Sequence, residues 1–185
     1  MNNQSRRIVA PLDPNLVREL RAGERVLLSG TILTGRDAAH KRMTDLLKSG
    51  EPLPFSITGE AIYYVGPTPP PPGRPIGAAG PTTAYRMDAY SPPLIEHGLK
   101  AMIGKGQRSE AVKQAMAQWG AVYFSAIGGL GALISRCIKQ ATVIAWEDLG
   151  TEAVRRLVVQ DLPLIVATDT HGGDLYVTGP AKFRR

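Results

Sequence analysis

Apolar and polar positions along this chain repeat with two different periods, and the switches between them mark interleaved strands and helices. Residues 25–33 are an aliphatic, β-branched run read as a strand, which Gly35 breaks. Residues 36–47 then change to a helical period, with Ala38, Ala39, Met43, Leu46 and Leu47 available for one apolar face. Ahead of them, residues 14–20 predict a short helix with Asp13 as its N-cap and Gly23 as its stop. Residues 61–65, 100–104 and 121–124 predict further strands. Residues 109–119 predict an amphipathic helix with Val112, Ala115, Met116 and Trp119 on one face. Ser91 followed by Pro92 and Pro93 reads as a helix start with Ser91 as N-cap. Gly128-Gly129-Leu130-Gly131 leads into an apolar helical stretch, and residues 141–146 and 164–168 predict late strands separated by a helix-like segment at 151–159. Such interleaving predicts a mixed α/β domain with a central β core and outer helices. Residues 1–14 read as a polar, proline-containing arm, and 15–185 as one domain without repeats or a splitting linker. Residues 66–75 form a polyproline stretch, read as a stiff surface loop.

Composition narrows the function classes. A chain of 185 residues with 43% hydrophobic and 21% charged residues is an ordinary globular protein with room for a sizeable core. Aromatics at 6% argue against a base-stacking platform. The net charge of +6 is scattered, with only Arg6-Arg7, Arg155-Arg156 and Arg184-Arg185 doubled, so it suits a small anionic substrate or an acidic protein partner better than nucleic acid. There is no apolar run near the length of a membrane span and no apolar stretch after Arg6-Arg7, so a cytoplasmic protein without membrane or nucleic-acid partners is expected. The single cysteine, Cys137, reads as a buried free thiol. It excludes an internal disulfide framework and any zinc or iron–sulfur site built on this chain's thiols alone.

Four polar constellations fall at predicted strand ends or turns, where α/β folds place ligands. In Thr34-Gly35-Arg36-Asp37-Ala38-Ala39-His40-Lys41-Arg42, Arg36 sits at a strand-to-helix junction and can pair bidentately with a carboxylate or phosphate. Asp37 fits a helix-dipole charge, and His40, Lys41 and Arg42 read as the helix's solvated side. In Gly80-Pro81-Thr82-Thr83-Ala84-Tyr85-Arg86-Met87-Asp88, a turn presents two hydroxyls and a guanidinium together; a plain helix N-cap on Thr82 or Thr83 is the simpler reading. In Gly104-Lys105-Gly106 a lysine between glycines can approach an anion closely, although the spacing is not a P-loop. Asp169-Thr170-His171-Gly172-Gly173-Asp174 reads as a polar turn or, alternatively, as part of a metal site. The cations and hydroxyls together suit a small dicarboxylate. Threonine is a poor base unless cations stabilise its alkoxide, so an enzyme built on these groups needs something more than this chain.

These motifs, in this order and at these intervals, resemble the β subunit, or C-terminal domain, of iron–sulfur-dependent fumarases and L(+)-tartrate dehydratases, over about residues 20–180. The resemblance implies a swivelling β/β/α-type domain. It also implies a separate α subunit carrying a [4Fe–4S] cluster on three cysteines, an α₂β₂ assembly, and no metal ligand in this chain. It assigns Arg36 and Arg86 to substrate carboxylates, Thr82 to catalytic proton abstraction at C3 of malate, and Thr83 and Lys105 to substrate contact, with Thr82 and Thr83 both open as the base. Gly35 through Arg42 and Arg86-Met87-Asp88 look closer to the fumarase pattern, so reversible hydration of fumarate to L-malate is the expected hydro-lyase reaction. Tyr85 departs from the small residue expected there, which keeps tartrate and mesaconate-type substrates open. A non-catalytic dicarboxylate-binding regulatory module is the alternative from another class.

Overall fold

The computed structural model describes residues 5–184. Its strands are β1 (Arg6–Ala10), β2 (Arg25–Thr34), β3 (Ala61–Tyr63), β4 (Ala101–Gly104), β5 (Val122–Ser125), β6 (Ile138–Ala145) and β7 (Val154–Thr168). Its helices are α1 (Pro14–Glu19), α2 (Asp37–Ser49), α3 (Ser91–Glu96), α4 (Glu110–Trp119), α5 (Gly131–Cys137) and α6 (Leu175–Ala181), with 3₁₀ turns at Ala84–Met87 and Glu147–Glu152. Strands β1 to β5 run parallel in sequence order. β7 pairs antiparallel with both β5 and β2, so the sheet curls into a mixed barrel of β2, β3, β4, β5 and β7. β1 and β6 lie alongside β2 and β7. This is the expected α/β architecture.

The strand residues show why both faces are covered. Ala61, Tyr63 and Val65, Ala101 and Ile103, and Val122 and Phe124 enter one apolar cluster. The residues between them, Ile62, Tyr64, Met102 and Tyr123, enter a second with Met43, Leu94 and Met116 of the helices. Alternate side chains of a strand point to opposite faces. Strands apolar on both faces are what helices packed outside a closed sheet require.

Three expectations about elements need correction. The segment 151–159 is not helical: from Val154 it is the first half of β7, a 15-residue strand that also contains the predicted strand 164–168. Its Val154, Leu157 and Val159 are buried, whereas the neighbours Arg155, Arg156 and Val158 are more exposed, a half-buried strand pattern interrupted by bulges opposite β6. Residues 6–10 of the presumed arm form an edge strand, whose Ile8 and Ala10 enter the core. Ser91 caps nothing: its hydroxyl donates to the Met87 carbonyl at 2.8 Å and accepts from Arg108 Nη2 at 2.7 Å. Asp13 does cap α1, accepting from the amides of Asn15 and Leu16. The polyproline stretch is an exposed loop, closed at its base by Thr68 and Ala78. Among the described residues no helix is long and apolar enough to cross a membrane.

Candidate active site

Because β2, β3 and β4 are parallel, the turns that follow them open on the same edge of the sheet. Arg36 leaves the end of β2 and stands at the N-cap position of α2. The Gly35 amide is tied to the Tyr63 carbonyl at 3.1 Å. Beyond β3, the chain returns from the polyproline loop and threads Thr82 to Ala84 between the ends of β3 and β4. The Thr82 amide donates to the Tyr64 carbonyl at 2.7 Å, the Lys105 amide donates to the Thr82 carbonyl at 3.2 Å, and the Ala84 amide donates to the Lys105 carbonyl at 2.8 Å. Thr83 and Lys105 thus form a parallel bridge. The backbone itself brings together two motifs that lie far apart in sequence.

Glycines permit this crowding at two points. A Cβ at Gly104 would lie 2.9 Å from the Tyr64 ring and 3.2 Å from the Ala84 Cβ. A Cβ at Gly66 would lie 2.5 Å from Arg36 Nη1, so the Arg36 guanidinium rests on bare backbone at the end of β3.

Two carboxylates frame the arginines. Asp37 Oδ1 accepts from Arg86 Nε at 3.0 Å, and its Oδ2 lies 3.9 Å from Arg36 Nε. That Oδ2 and that Nε are both buried without a hydrogen bond. Glu152, from the 3₁₀ turn between β6 and β7, accepts from the Ala38 amide at 2.8 Å and lies 3.6 Å from Arg36 Nη2. Asp37 therefore does more than complement a helix dipole, and Glu152 caps α2 from 114 residues away. Nothing in the local pattern around Glu152 announces this role.

On the opposite side stand groups without partners. Thr82 and Thr83 make no side-chain hydrogen bond among the described residues; Thr83 stands at the N-cap position of the 3₁₀ turn, but its hydroxyl caps nothing. The Lys105 ammonium is exposed and likewise unpaired among the described residues. Its turn is held from behind: Tyr176 Oη accepts from the Gly106 amide and Tyr123 Oη donates to the Gly106 carbonyl, both at 2.9 Å. The 82–88 turn is anchored by Arg108, whose fully buried guanidinium donates to Asp88 Oδ1 at 2.7 Å and stacks on Tyr64 and Tyr123. Sequence reasoning passed over Arg108, Tyr123 and Tyr176, which lie outside any recognisable motif.

His40 corrects an expectation. It does not face solvent with Lys41 and Arg42; it is fully buried, edge-on to Tyr64. Its Nδ1 lies 2.9 Å from the Arg36 carbonyl and so carries the proton as donor, leaving Nε2 bare. Burial pushes its pKa down to about 4, so it is neutral at pH 7. The i, i+4 spacing to Arg36 was the available signal. Lys41 and Arg42 do lie at the surface, paired with Asp45 and Asp148.

The fourth constellation is a hydrogen-bonded turn. Asp169 accepts from the amides of Ala22, His171 and Gly173 at 2.9, 2.8 and 2.9 Å. Burial opposes its charge, but those three amides prevail and hold its carboxyl below the usual range. His171 Nε2 faces the Arg18 carbonyl at 2.8 Å. Among the described residues no three His, Cys, Asp or Glu side chains are grouped to hold a metal. Cys137, half-buried rather than buried, stands alone at the junction of α5 and β6 with its thiol pushed up by burial. The donor set of this chain does not fit an iron–sulfur cluster.

The architecture and the edge-of-sheet cluster define an α/β domain that gathers two arginines, two threonines and a lysine at one sheet edge. The chain belongs to the fumarase C-terminus family, whose model matches residues 4–179. It is 40% identical over 156 residues to fumarate hydratase 2 of Leishmania major, covering 83% of this chain and 28% of that protein. It is 40% identical over 154 residues to the anaerobic class I fumarate hydratase of Escherichia coli (strain K12), again covering 82% of this chain and 28% of the relative. A Methanocaldococcus jannaschii protein provisionally named L(+)-tartrate dehydratase subunit beta is 36% identical over 170 residues, covering 86% of this chain and 85% of its own length. The chain thus spans about a third or less of the fumarate hydratases it matches and most of the tartrate dehydratase subunit.

Proposed function

We propose that this chain is the β subunit of a two-subunit cytoplasmic hydro-lyase that interconverts fumarate and L-malate, closing the active site over an α subunit that carries a [4Fe–4S] cluster. The observation that carries this reading is the pair Arg36 and Arg86, both facing Asp37, beside two threonine hydroxyls and a lysine that have no side-chain partner among the described residues. Arg86 and Lys105 are open to solvent, which suits a half-site completed by another chain. The near full-length match to a protein named as a β subunit supports the division into two chains.

On this reading Arg36 and Arg86 each take one carboxylate of the substrate. Thr82, as its alkoxide, takes the C3 proton of malate as the C2–oxygen bond breaks, releasing hydroxide and leaving the double bond of fumarate; the proton held by Thr82 balances that hydroxide, so the net loss is water. Abstraction beside a carboxylate builds negative charge, which the guanidiniums and Lys105 stabilise where it develops. The same cations lower the cost of a threonine alkoxide. Thr83, bridged to Lys105, contacts the substrate beside it. The Lewis acid is the α subunit's cluster, and this chain supplies carboxylate binding, the base and the exclusion of water.

The test is anaerobic reconstitution of this chain with an α chain bearing three well-separated cysteines. Activity on malate and fumarate is expected from the pair only, in an α₂β₂ particle by sizing, with loss in air. Turnover of tartrate without malate would move the substrate assignment to the tartrate dehydratases, a reading the Methanocaldococcus jannaschii match favours. An isolated chain that binds dicarboxylates and never pairs would instead make it a regulatory module.

A further inference from the structure

We propose that Asp37 fixes the spacing of Arg36 and Arg86, and through it the length of dicarboxylate the site accepts; this rests on the function proposed above. One carboxylate addresses both guanidiniums from their inner, Nε edges. Oδ1 accepts from Arg86 Nε at 3.0 Å, and Oδ2 faces Arg36 Nε at 3.9 Å. Neither Nη of Arg86 has a partner among the described residues, so its outer fork stays available to a substrate carboxylate.

The carboxylate is itself rigidly placed. Asp37 is the first residue of the 13-residue α2, whose Ala39, His40 and Met43 are buried. Arg86 comes from a separate 3₁₀ turn anchored by buried Ala84 and Met87. The Asp37–Arg86 ion pair is the polar link between these two elements. Glu152 faces the far edge of Arg36 at 3.6 Å, an attraction that opposes its swinging outward to follow a longer ligand. The buried Oδ2 and Nε, each lacking a hydrogen bond, mark a joint whose geometry was set for something other than the two side chains' own best contact. A site with fixed separation between two carboxylate clamps discriminates by methylene count.

The experiment measures competitive inhibition of the reconstituted complex by succinate and by glutarate, which is one methylene longer, for the wild type and D37N. Asparagine keeps an acceptor for Arg86 but removes the charge that Arg36 faces. The wild type is expected to prefer succinate by about 10-fold or more, the order that one methylene commands in a shaped pocket. D37N should abolish most of that preference and lower kcat as well, with an unchanged melting temperature. A merely structural Asp37 would shift both inhibition constants alike, so an unchanged succinate-to-glutarate ratio overturns the proposal. If D37N fails to fold, D37E carries the same test, because a longer carboxylate must move the ratio. A wild-type complex inactive on malate, fumarate and tartrate removes the functional reading and this inference together; an active complex with an unmoved ratio removes this inference alone.

Discussion

Two polar clusters look alike in the sequence and are opposites in the structure. In the Asp169 turn the charged groups are paired, the carboxylate on three amides and the histidine on the Arg18 carbonyl, and only the neutral Thr170 hydroxyl is buried without a hydrogen bond among the described residues. The Arg36–Arg86 cluster is unsaturated among the described residues, with a buried Nε and a buried Oδ2 lacking hydrogen bonds, two hydroxyls without partners and an exposed ammonium without one. Buried polar groups in folded proteins are nearly always paired. A cluster that leaves charged groups unpaired has donors to offer a ligand, whereas one whose carboxylate is pinned by three amides is holding the chain together.

Mutations can break this contrast from either side. Thr82→Ala should lower kcat of the reconstituted complex by about 10³-fold, in the range general bases contribute, without moving the melting temperature. Normal turnover would take Thr82 out of the mechanism and leave Thr83 to be tried. Asp169→Ala should behave in reverse: it strands three amide donors and should destabilise the chain by about 3 kcal/mol in denaturant titration, whatever the substrate. A change below about 1 kcal/mol would mean that water replaces the carboxylate freely.

His40 offers a subtler probe, since it lies beneath the unsaturated cluster. Its folded pKa of about 4 is below its unfolded value of 6.5, so the unfolded chain binds the proton first as pH falls. Stability should therefore decline as pH drops from about 6.5, level off below about 4, and lose up to about 3 kcal/mol in between. His40→Asn should flatten that slope; an equally steep decline in the variant would assign the acid sensitivity elsewhere. At the bottom of the scale, Arg42→Ala removes an exposed ion pair with Asp148 and should leave the melting temperature almost unchanged.

The parts of the fold legible in the sequence are those with local causes. Asp13 caps α1, Gly35 ends β2, and the helical period of α2 and α4 is visible because each depends on neighbours within a turn or two. The segment 151–159 was misread because its apolar positions suit either period, and only pairing with β2 and β6 makes it a strand. The site divides in the same way. Arg36, Thr82, Thr83, Arg86 and Lys105 stand in turns with recognisable glycines, and the structure gathers them at one sheet edge. Glu152, Arg108, Tyr123 and Tyr176 act through contacts made only after folding, so nothing near them in the chain reveals them.

β7 has a consequence for how the molecule comes into being. It enters the barrel last in chain order, yet residues 156–165 pair with residues 25–33 near the beginning. During synthesis on the ribosome, the early strands must wait with the flanks of β2 and β5 unsealed until β7 has emerged. The turns bearing the arginines and threonines are made early and locked late. In pulsed hydrogen exchange during refolding, amides of β7 and the facing edge of β2 should gain protection together, as the slowest set.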